Sequence, residues 1–463
     1  MIPNISYGTT GHDGIAKAVG GLCVLSSPVW VYGLFFPFQS DSQVNGYPGR
    51  TALALLLLLA AVVHVLLIRW LSDGDNFLAQ VMLIGFLMKL AGVAASMATV
   101  VHVYDSVGDV FYYYWSAAGL ADKHAFTGQW TILQPFWSTN FIIMLTSRLM
   151  YVVGKSFQSL MVVFGIFSYW GQYLFYKSFC IGFPKEDRRS AALFLFFLPS
   201  VVFWTATIGK DAVVFFFIGL CCYGFVKMSH SSQPSALLIV LVSLGGVMLV
   251  RPHVAGMLAI SMGVAYLVTN SRGGAIGVAV KSIGVPILLI TSVYFVSQAS
   301  NFLDLKDVGG TKHVLEHAAQ KNLQVEGTKL NSSLGYRLSA APLLLFRPFP
   351  WEVRNPQMAV ASIEGFALMI FFWRRRNAVL PTLERCQRDP FFLFSWIYLV
   401  EFSFLFAGAM TNFGLLARER DMLIPVAVMT FLSAPRPQKQ LWGVAHLNSA
   451  TWARVRASQA TAS

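Results

Sequence analysis

The sequence predicts an all-α protein, a polytopic transmembrane helical bundle with about 12 spans and extracytoplasmic loops that carry interfacial helices. Of its 463 residues, 56% are hydrophobic and only 12% are charged, a composition far from that of soluble globular proteins. Apolar runs long enough to cross a hydrocarbon core of roughly 30 Å recur along most of the chain. Lys and Arg residues lie mainly in the short loops between these runs, as the positive-inside rule expects.

The predicted spans follow one another along the chain and place both termini on the same side of the membrane. In chain order they are 19–38, 51–69, 78–101, 159–180, 190–208, 212–227, 236–250, 254–270, 276–297, 358–373, 391–410 and 420–434. The shorter run from Phe141 to Val153 carries Arg148 near its middle. We interpret this run as an interfacial or re-entrant helix rather than a span.

The basic residues determine the predicted orientation. One side of the bundle receives Lys17, Arg69, Lys185, Arg188, Arg189, Lys227, Arg272, Arg374, Arg375, Arg376, Arg436, Lys439, Arg454 and Arg456. This side should face the cytoplasm. Residues 1–434 then form a single integral membrane domain, with large extracytoplasmic loops at 102–158 and 298–357, and residues 435–463 form a basic cytoplasmic tail.

The net charge of +13 does not indicate nucleic-acid binding, because no basic stripe large enough to neutralise a phosphate backbone is visible. The five cysteines show no spacing typical of disulfides or of a metal site.

Two carboxylates follow the third predicted span. Asp105 and Asp109 are four residues apart, so a helix would place both on one face. They stand where a carboxylate would face a substrate at the membrane surface. The alternative is an ordinary solvated loop.

Charged residues also interrupt apolar runs at two turns. Lys210 and Asp211 join two predicted spans, and Arg251 and His253 lie in a later turn on the same side. Ionisable groups in such positions are candidates for a functional site. Asp211 can alternatively orient Lys210 through an ion pair, and His253 is better explained as a structural histidine than as a catalytic one.

The segment LLLFRPFPWEVRNP ends the longest hydrophilic stretch. Its prolines prevent a regular helix and stiffen the chain around Arg347, Glu352 and Arg354. Arginine suits phosphate recognition, because its planar fork binds phosphate oxygens in pairs, although interfacial anchoring explains the same residues. An H-x-x-E-H pattern at His313, Glu316 and His317 resembles a zinc signature, but we interpret it as part of a polar loop helix.

The last segment with candidate functional residues is TNFGLLARERDMLIP. It contains Asn412, Arg418 and Arg420 at the mouth of the final predicted span. A helix N-terminus favours anions, so a lipid-phosphate site is plausible there. A structural ion-pair cluster is the alternative.

These motifs, in this order, resemble bacterial polytopic GT-C type glycosyltransferases and O-antigen-like polysaccharide polymerases over residues of about 100 to 433. The resemblance rests on Asp109 followed by YYYWSAAGLA, then FLPSVVFWTATIGKDAV, LVRPHVAG, RPFPWE and NFGLLARERDMLIP. It implies an essential Asp on the first large external loop, a role that falls to Asp109 or Asp105. It also implies that basic external residues hold the lipid phosphate, a role open to Lys210, Arg251, Arg347, Arg354, Arg418 and Arg420.

The function expected from these observations is inverting sugar transfer from a polyprenyl phosphate or diphosphate donor on the extracytoplasmic face. An Asp would take the proton of the acceptor hydroxyl, and cations would stabilise the leaving phosphate. No cofactor is expected, although a divalent cation bridging Asp and diphosphate stays open. A transporter or lipid-linked saccharide flippase is the competing class, but we find no internal repeat typical of transporters.

The expected partners are the lipid-linked donor, a saccharide or lipid-linked acceptor, membrane lipids, and proteins of an envelope polysaccharide assembly system. The expected location is the bacterial inner membrane.

Overall fold

The computed structural model describes residues 10–35, 47–104, 108–231, 234–269, 341–353, 356–409 and 413–433. Every regular element within these ranges is helical, and they contain no strand. The all-α prediction is therefore confirmed for the described part of the chain. The predicted span 276–297 and the predicted tail 435–463 lie outside the described residues.

The helices are numbered in chain order. They are α1 Thr10–Leu25, α2 Ser27–Phe35, α3 Tyr47–Leu71, α4 Asn76–His102, α5 Asp109–Thr127, α6 Thr139–Val153, α7 Phe157–Gly182, α8 Arg188–Phe197, α9 Pro199–Trp204, α10 Lys210–Ser231, α11 Pro234–Val250, α12 Pro252–Val268, α13 Pro356–Val379, α14 Pro390–Ala409, α15 Phe413–Glu419 and α16 Ile424–Leu432. Short 3₁₀ helices lie at Ala341–Leu343, Pro350–Glu352, Leu380–Gln387 and Arg420–Met422.

Four of the described helices are long and apolar enough to cross a membrane, namely α3, α4, α10 and α14. The number rises to six if two bent pairs, α1 with α2 and α6 with α7, each count as one span. Two shorter apolar helices, α11 and α12, follow α10. The chain is thus a multi-span helical membrane protein, whereas the figure of about 12 spans is not confirmed.

Helices α6 and α7 meet at an angle of 113°. Helix α6 therefore does not continue the line of α7, and a bend of this size fits a broken span as well as a re-entrant loop. It packs instead against α5, so the two helices form a hairpin between α4 and α7.

Three predicted spans are broken. The described part of the run 19–38 belongs to α1 and α2, which meet at an angle of 50°. The run 190–208 forms α8 and α9, which are separated at Leu198, because the residue before Pro199 adopts an extended conformation. The run 420–434 begins with a 3₁₀ turn and continues as the nine-residue helix α16. The apolar composition of these runs does not reveal where the chain changes direction.

Helix α10 lies at the centre of the bundle and packs along both α7 and α11. The rings of Phe175 and Phe215 meet 5.1 Å apart in the contact between α7 and α10. Helix α12 packs on α14, and α4 contacts α7, α8 and α9. These contacts bring the start of α10 close to α4, α5 and the 418–421 segment.

Candidate functional site

Helix α5 begins at Asp109, directly after a turn that only glycine adopts readily. Gly108 has a φ of +133°, a conformation that L side chains rarely take. The turn directs Asp109 toward the start of α10, and the Asp109 side chain is 66% exposed. The carboxylate is therefore accessible at the end of α4.

A cavity of about 130 Å³ lies beside Asp109. Its wall contains residues from α4, from the turn before α5, from α9 and the turn after it, and from α15. The lining residues are Ser96, Thr99, Val100, Tyr104, Gly108, Asp109, Val110, Phe203, Trp204, Thr207 and Arg418. The cavity combines hydroxyl groups, two aromatic rings of α9, a carboxylate and a guanidinium.

Five charged side chains run from this cavity into the bundle, and we call them the charge chain. In spatial order they are Asp109, Arg418, Asp211, Arg251 and Glu419. Negative and positive groups alternate along the chain, and each cation lies between two carboxylates. Every charge in the series therefore has a partner of opposite sign, as buried charges require.

Asp211 is the centre of the charge chain. One carboxylate oxygen accepts a hydrogen bond from Nη2 of Arg251 at 2.5 Å, and the other accepts from Nε of Arg418. Arg251 also donates to Glu419 through Nη1. The structure thus pairs Asp211 with two arginines, so Asp211 is not primarily the ion-pair partner of Lys210, which was the alternative considered from sequence.

Arg418 is the member of the charge chain that connects the interior with the cavity. Its Nη1 lies 3.6 Å from Oδ2 of Asp109, and its side chain is 23% exposed. Burial alone would lower the pKa of Arg418, but Asp211 and Glu419 outweigh burial and raise that pKa above its usual range. Glu419 and Asp211 raise the pKa of Arg251 in the same way. Both guanidiniums are therefore permanently charged.

Tyr113 lies one turn beyond Asp109 on α5 and is buried. Burial, with the nearby charge of Asp109, raises the pKa of Tyr113 to about 12. Its phenol therefore stays protonated. A Cβ atom at Gly209 would lie 3.7 Å from the Tyr113 ring and 4.0 Å from Nη2 of Arg418. The turn before Lys210 thus packs directly against the cavity.

Lys210 is half-buried at the first position of α10, next to Asp211. His253 lies in the first turn of α12, with its ring 5.8 Å from that of Phe406. Asp105, Arg354 and Asn412, which were predicted as site residues, lie outside the described residues, and so do His313, Glu316 and His317.

Arg420 requires a correction. Its side chain is 0% exposed, and its guanidinium donates to the carbonyl oxygens of Arg347 at 2.7 Å and Ala361 at 2.8 Å. Nη2 also lies 3.5 Å from Glu364. The 3₁₀ turn places Arg420 inside the protein while Arg418, two residues earlier, faces the cavity. We therefore assign Arg420 a structural role and no longer a lipid-phosphate contact.

Arg347 is also engaged within its own loop. Its Nε donates to Glu352 at 3.1 Å, and Glu352 in turn accepts from the backbone N–H of Phe349 at 2.8 Å. This ion pair stiffens the RPFPWE segment. Arg347 and Glu352 therefore hold the conformation of this loop.

Sequence reasoning missed three polar residues near the site. Lys89 of α4 and Glu364 of α13 were absorbed into predicted spans, although an ionisable residue inside an apolar run is itself a signal of function. Ser96 carries no such signal. Among the residues that the structure describes, no group of three or more His, Cys, Asp or Glu side chains is placed to hold a metal ion.

Residues 138–296 match the family model of the dolichyl-phosphate-mannose-protein mannosyltransferases. The match covers about a third of the chain, from α6 to beyond α12, and it includes Lys210, Asp211 and Arg251. It does not include Asp109 or Arg418. No curated protein and no solved structure matches the chain.

This family is a GT-C type glycosyltransferase family, so the match agrees with the expected class. The similarity supports a membrane glycosyltransferase that uses a lipid-linked sugar donor. It supports a multi-pass protein as well, together with the apolar helices.

Proposed function

We propose that this chain is an inverting glycosyltransferase in which Asp109 is the general base and Arg418 binds the lipid phosphate of the donor. The observation that carries the proposal is the pairing of an exposed carboxylate with a guanidinium 3.6 Å away at one cavity. General-base catalysis needs the first group, and stabilisation of a leaving phosphate needs the second.

Arg418 suits the phosphate better than the other predicted cations. Asp211 holds its Nε, which fixes the guanidinium plane, and its Nη1 lies 3.6 Å from Asp109 at the cavity wall. Both Nη atoms of Arg251 already donate hydrogen bonds, to Asp211 and to Glu419, and Arg251 is buried behind Asp211. Lys210, half-buried beside Arg418, is the natural second cation for the phosphate.

The reaction proposed is a single displacement at the anomeric carbon. The acceptor hydroxyl oxygen forms a bond to that carbon, and the bond from the carbon to the lipid phosphate oxygen breaks. The hydroxyl proton passes to Asp109, and the electron pair leaves with the phosphate, whose charge Arg418 and Lys210 stabilise. Attack from the face opposite the leaving group inverts the anomeric configuration.

The cellular setting belongs to the same proposal. We place the site on the extracytoplasmic face of a bacterial inner membrane, because the basic loops lie at the other end of the predicted topology. The acceptor would be a saccharide or a lipid-linked saccharide of the cell envelope. Whether one sugar or a whole repeat unit is transferred distinguishes a transferase from a polymerase.

The test is transfer from a synthetic polyprenyl-phosphate mannose, the donor suggested by the name of the matching family. We expect Asp109→Asn in the purified full chain to lower kcat by about 10²–10⁴-fold, the usual contribution of a general base. Asp122→Asn is the matched control, because Asp122 lies on the same helix and pairs with Lys155 at the surface. The control should retain full activity.

Retained activity in Asp109→Asn would contradict the base assignment. If the wild-type chain moves the donor across a vesicle membrane without releasing polyprenyl phosphate, the competing flippase function replaces the proposed one.

A further inference from the structure

Helix α9 is a six-residue helix that lies inside the bundle with a buried ionisable side chain at each end. At its N-terminal end, Glu364 of α13 accepts hydrogen bonds from the backbone N–H and from the hydroxyl of Ser200, each at 2.6 Å. The negative charge thus meets the positive end of the helix dipole and satisfies a free N–H group.

Lys89 of α4 occupies the opposite end. Its ammonium group donates to the carbonyl oxygen of Val201 at 2.9 Å and to the hydroxyl of Thr205 at 3.0 Å, and Lys89 is 1% exposed. The Lys89 amino group thus adds a second side-chain donor to a carbonyl near the C-terminal end of this short helix, where carbonyl groups lack intrahelical partners. An apolar side chain in its place would remove the Lys89 donor and leave the Val201 carbonyl oxygen with the Thr205 hydroxyl, which donates to it at 2.6 Å.

The contact between α4 and α9 is unusually close. Ser96 donates to the carbonyl oxygen of Phe203 at 2.7 Å. Between Lys89 and Ser96, a Cβ atom at Gly92 would lie 2.4 Å from the carbonyl oxygen of Val202. Lys89, Gly92 and Ser96 are spaced so that they share one face of α4, and this face holds the backbone of α9.

The held helix leads directly into the cavity wall. Phe203 and Trp204 end the helix, Thr207 follows it, and all three line the cavity with Asp109 and Arg418. No part of the catalytic proposal uses these residues. A substrate bound between Asp109 and Arg418 would therefore lie against the end of α9.

We propose that the end of α9 is the sugar-recognition element of the site. In this assignment Trp204 and Thr207 contact the transferred sugar, while Lys89 and Glu364 are positioning residues that act through α9. The proposal rests on the proposed function. An indole offers an apolar face and an N–H to a sugar, and the Thr207 hydroxyl can both donate and accept a hydrogen bond. Rigid support from buried hydrogen bonds is what a selective site requires.

The positioning role is tested without any activity measurement. Thr207→Cys in a full-length background lacking the five native cysteines is labelled with a small water-soluble methanethiosulfonate in detergent. We expect Lys89→Met to change the labelling rate by about tenfold or more, because α9 loses its C-terminal partner and shifts. Two controls accompany this measurement. Lys227→Met in place of Lys89→Met should leave the labelling rate of Thr207→Cys unchanged, and Lys89→Met should leave the labelling rate of a cysteine at position 122 unchanged.

If Lys89→Met fails to elute as a single species in gel filtration, Ser96→Ala supplies the second variant. It removes one hydrogen bond to α9 and should change the Thr207→Cys labelling rate by about fivefold or less. The Ser96→Ala change should be at least about twofold. A smaller change in the folded variants overturns the positioning role, even in a fully active enzyme.

The recognition role is tested by the preference between two polyprenyl-phosphate hexoses that are epimers at one carbon. We expect Thr207→Ala to change the ratio of their kcat/KM values by about tenfold or more, because a lost hydrogen bond discriminates between hydroxyl configurations. An unchanged ratio with normal turnover overturns recognition but leaves the glycosyltransferase function standing. If the wild-type chain turns over neither donor, both the proposed function and the sugar-recognition role are contradicted. The labelling experiment then still tests the positioning role of Lys89.

Discussion

Asp211 accepts hydrogen bonds from two arginines that reach it from distant parts of the sequence. Its side chain is 4% exposed, so it has almost no water to compensate for a lost partner. By contrast, the Lys155 and Asp122 pair at the surface is 46% and 67% exposed. Ion pairs of these two kinds contribute very differently to stability, because the exposed charges keep their hydration.

We therefore expect Asp211→Asn to destabilise the protein by about 3–5 kcal/mol, since it leaves Arg251 and Arg418 without a shared carboxylate. Thermal unfolding in detergent measures the effect. Lys155→Met is the matched control and should cost no more than about 1 kcal/mol. Equal effects of the two substitutions would contradict the assignment of Asp211 as the centre of the charge chain.

At the scale of elements, the defining contact is the one between α4 and α9. The backbones of the two helices approach each other because Gly92 has no side chain there. Helix α9 is separated from α8 by Leu198 and Pro199, so it can take a direction of its own and end at the cavity. The missing side chain at Gly92 and the break before Pro199 therefore together allow α9 to pack closely against α4.

Gly92→Ala should separate these helices. The added methyl group would meet a backbone oxygen, which cannot move aside as a side-chain tip can, and we expect a cost of about 1–3 kcal/mol. Gly119→Ala on α5 is the control, because a Cβ there meets nothing within 4 Å, and it should be neutral or stabilise by up to about 1 kcal/mol. Denaturation in detergent compares the two variants. Comparable stability of both would show that α4 and α9 are not in backbone contact.

At the scale of the whole molecule, charges separate toward two ends of the bundle. One end holds the charge chain, and the other holds pairs such as Arg385 with Glu186 at 3.4 Å and Arg189 with Asp13 at 3.6 Å. The excess of basic residues at the second end predicts that it faces the cytoplasm.

The orientation can be measured in intact cells with single cysteines and a membrane-impermeant maleimide. We expect Asp122→Cys, on α5 at the end of the bundle that holds the charge chain, to be labelled. Arg376→Cys, after the apolar part of α13, should be protected until the cells are opened. Both native side chains are exposed, so burial does not explain a difference between them. The reverse pattern would place the site in the cytoplasm and contradict the extracytoplasmic assignment.

The amino-acid sequence alone was enough to predict a helical membrane protein and to name four of the five residues of the charge chain as candidates. Composition and apolar runs are enough for a helical membrane protein, because a span must satisfy its backbone internally. The sequence marks four of these residues as candidates because ionisable groups beside apolar runs are energetically unfavourable unless they serve a function. They are Asp109, Asp211, Arg251 and Arg418. Only the tertiary structure decided which charges neutralise one another, since partners such as Arg251 and Glu419 are 168 residues apart.

The other differences between prediction and structure have the same cause, because tertiary contacts cannot be read from the sequence. Arg418 and Arg420 look alike in sequence, yet a 3₁₀ turn sends one to the cavity and the other into the interior. Lys89 lies in an apolar run, and its nearest partner is a backbone carbonyl oxygen of α9, a group that every residue has, with the Thr205 hydroxyl beside it. Backbone groups carry no sequence signal, so only the packing of α4 against α9 could show what this lysine holds in place.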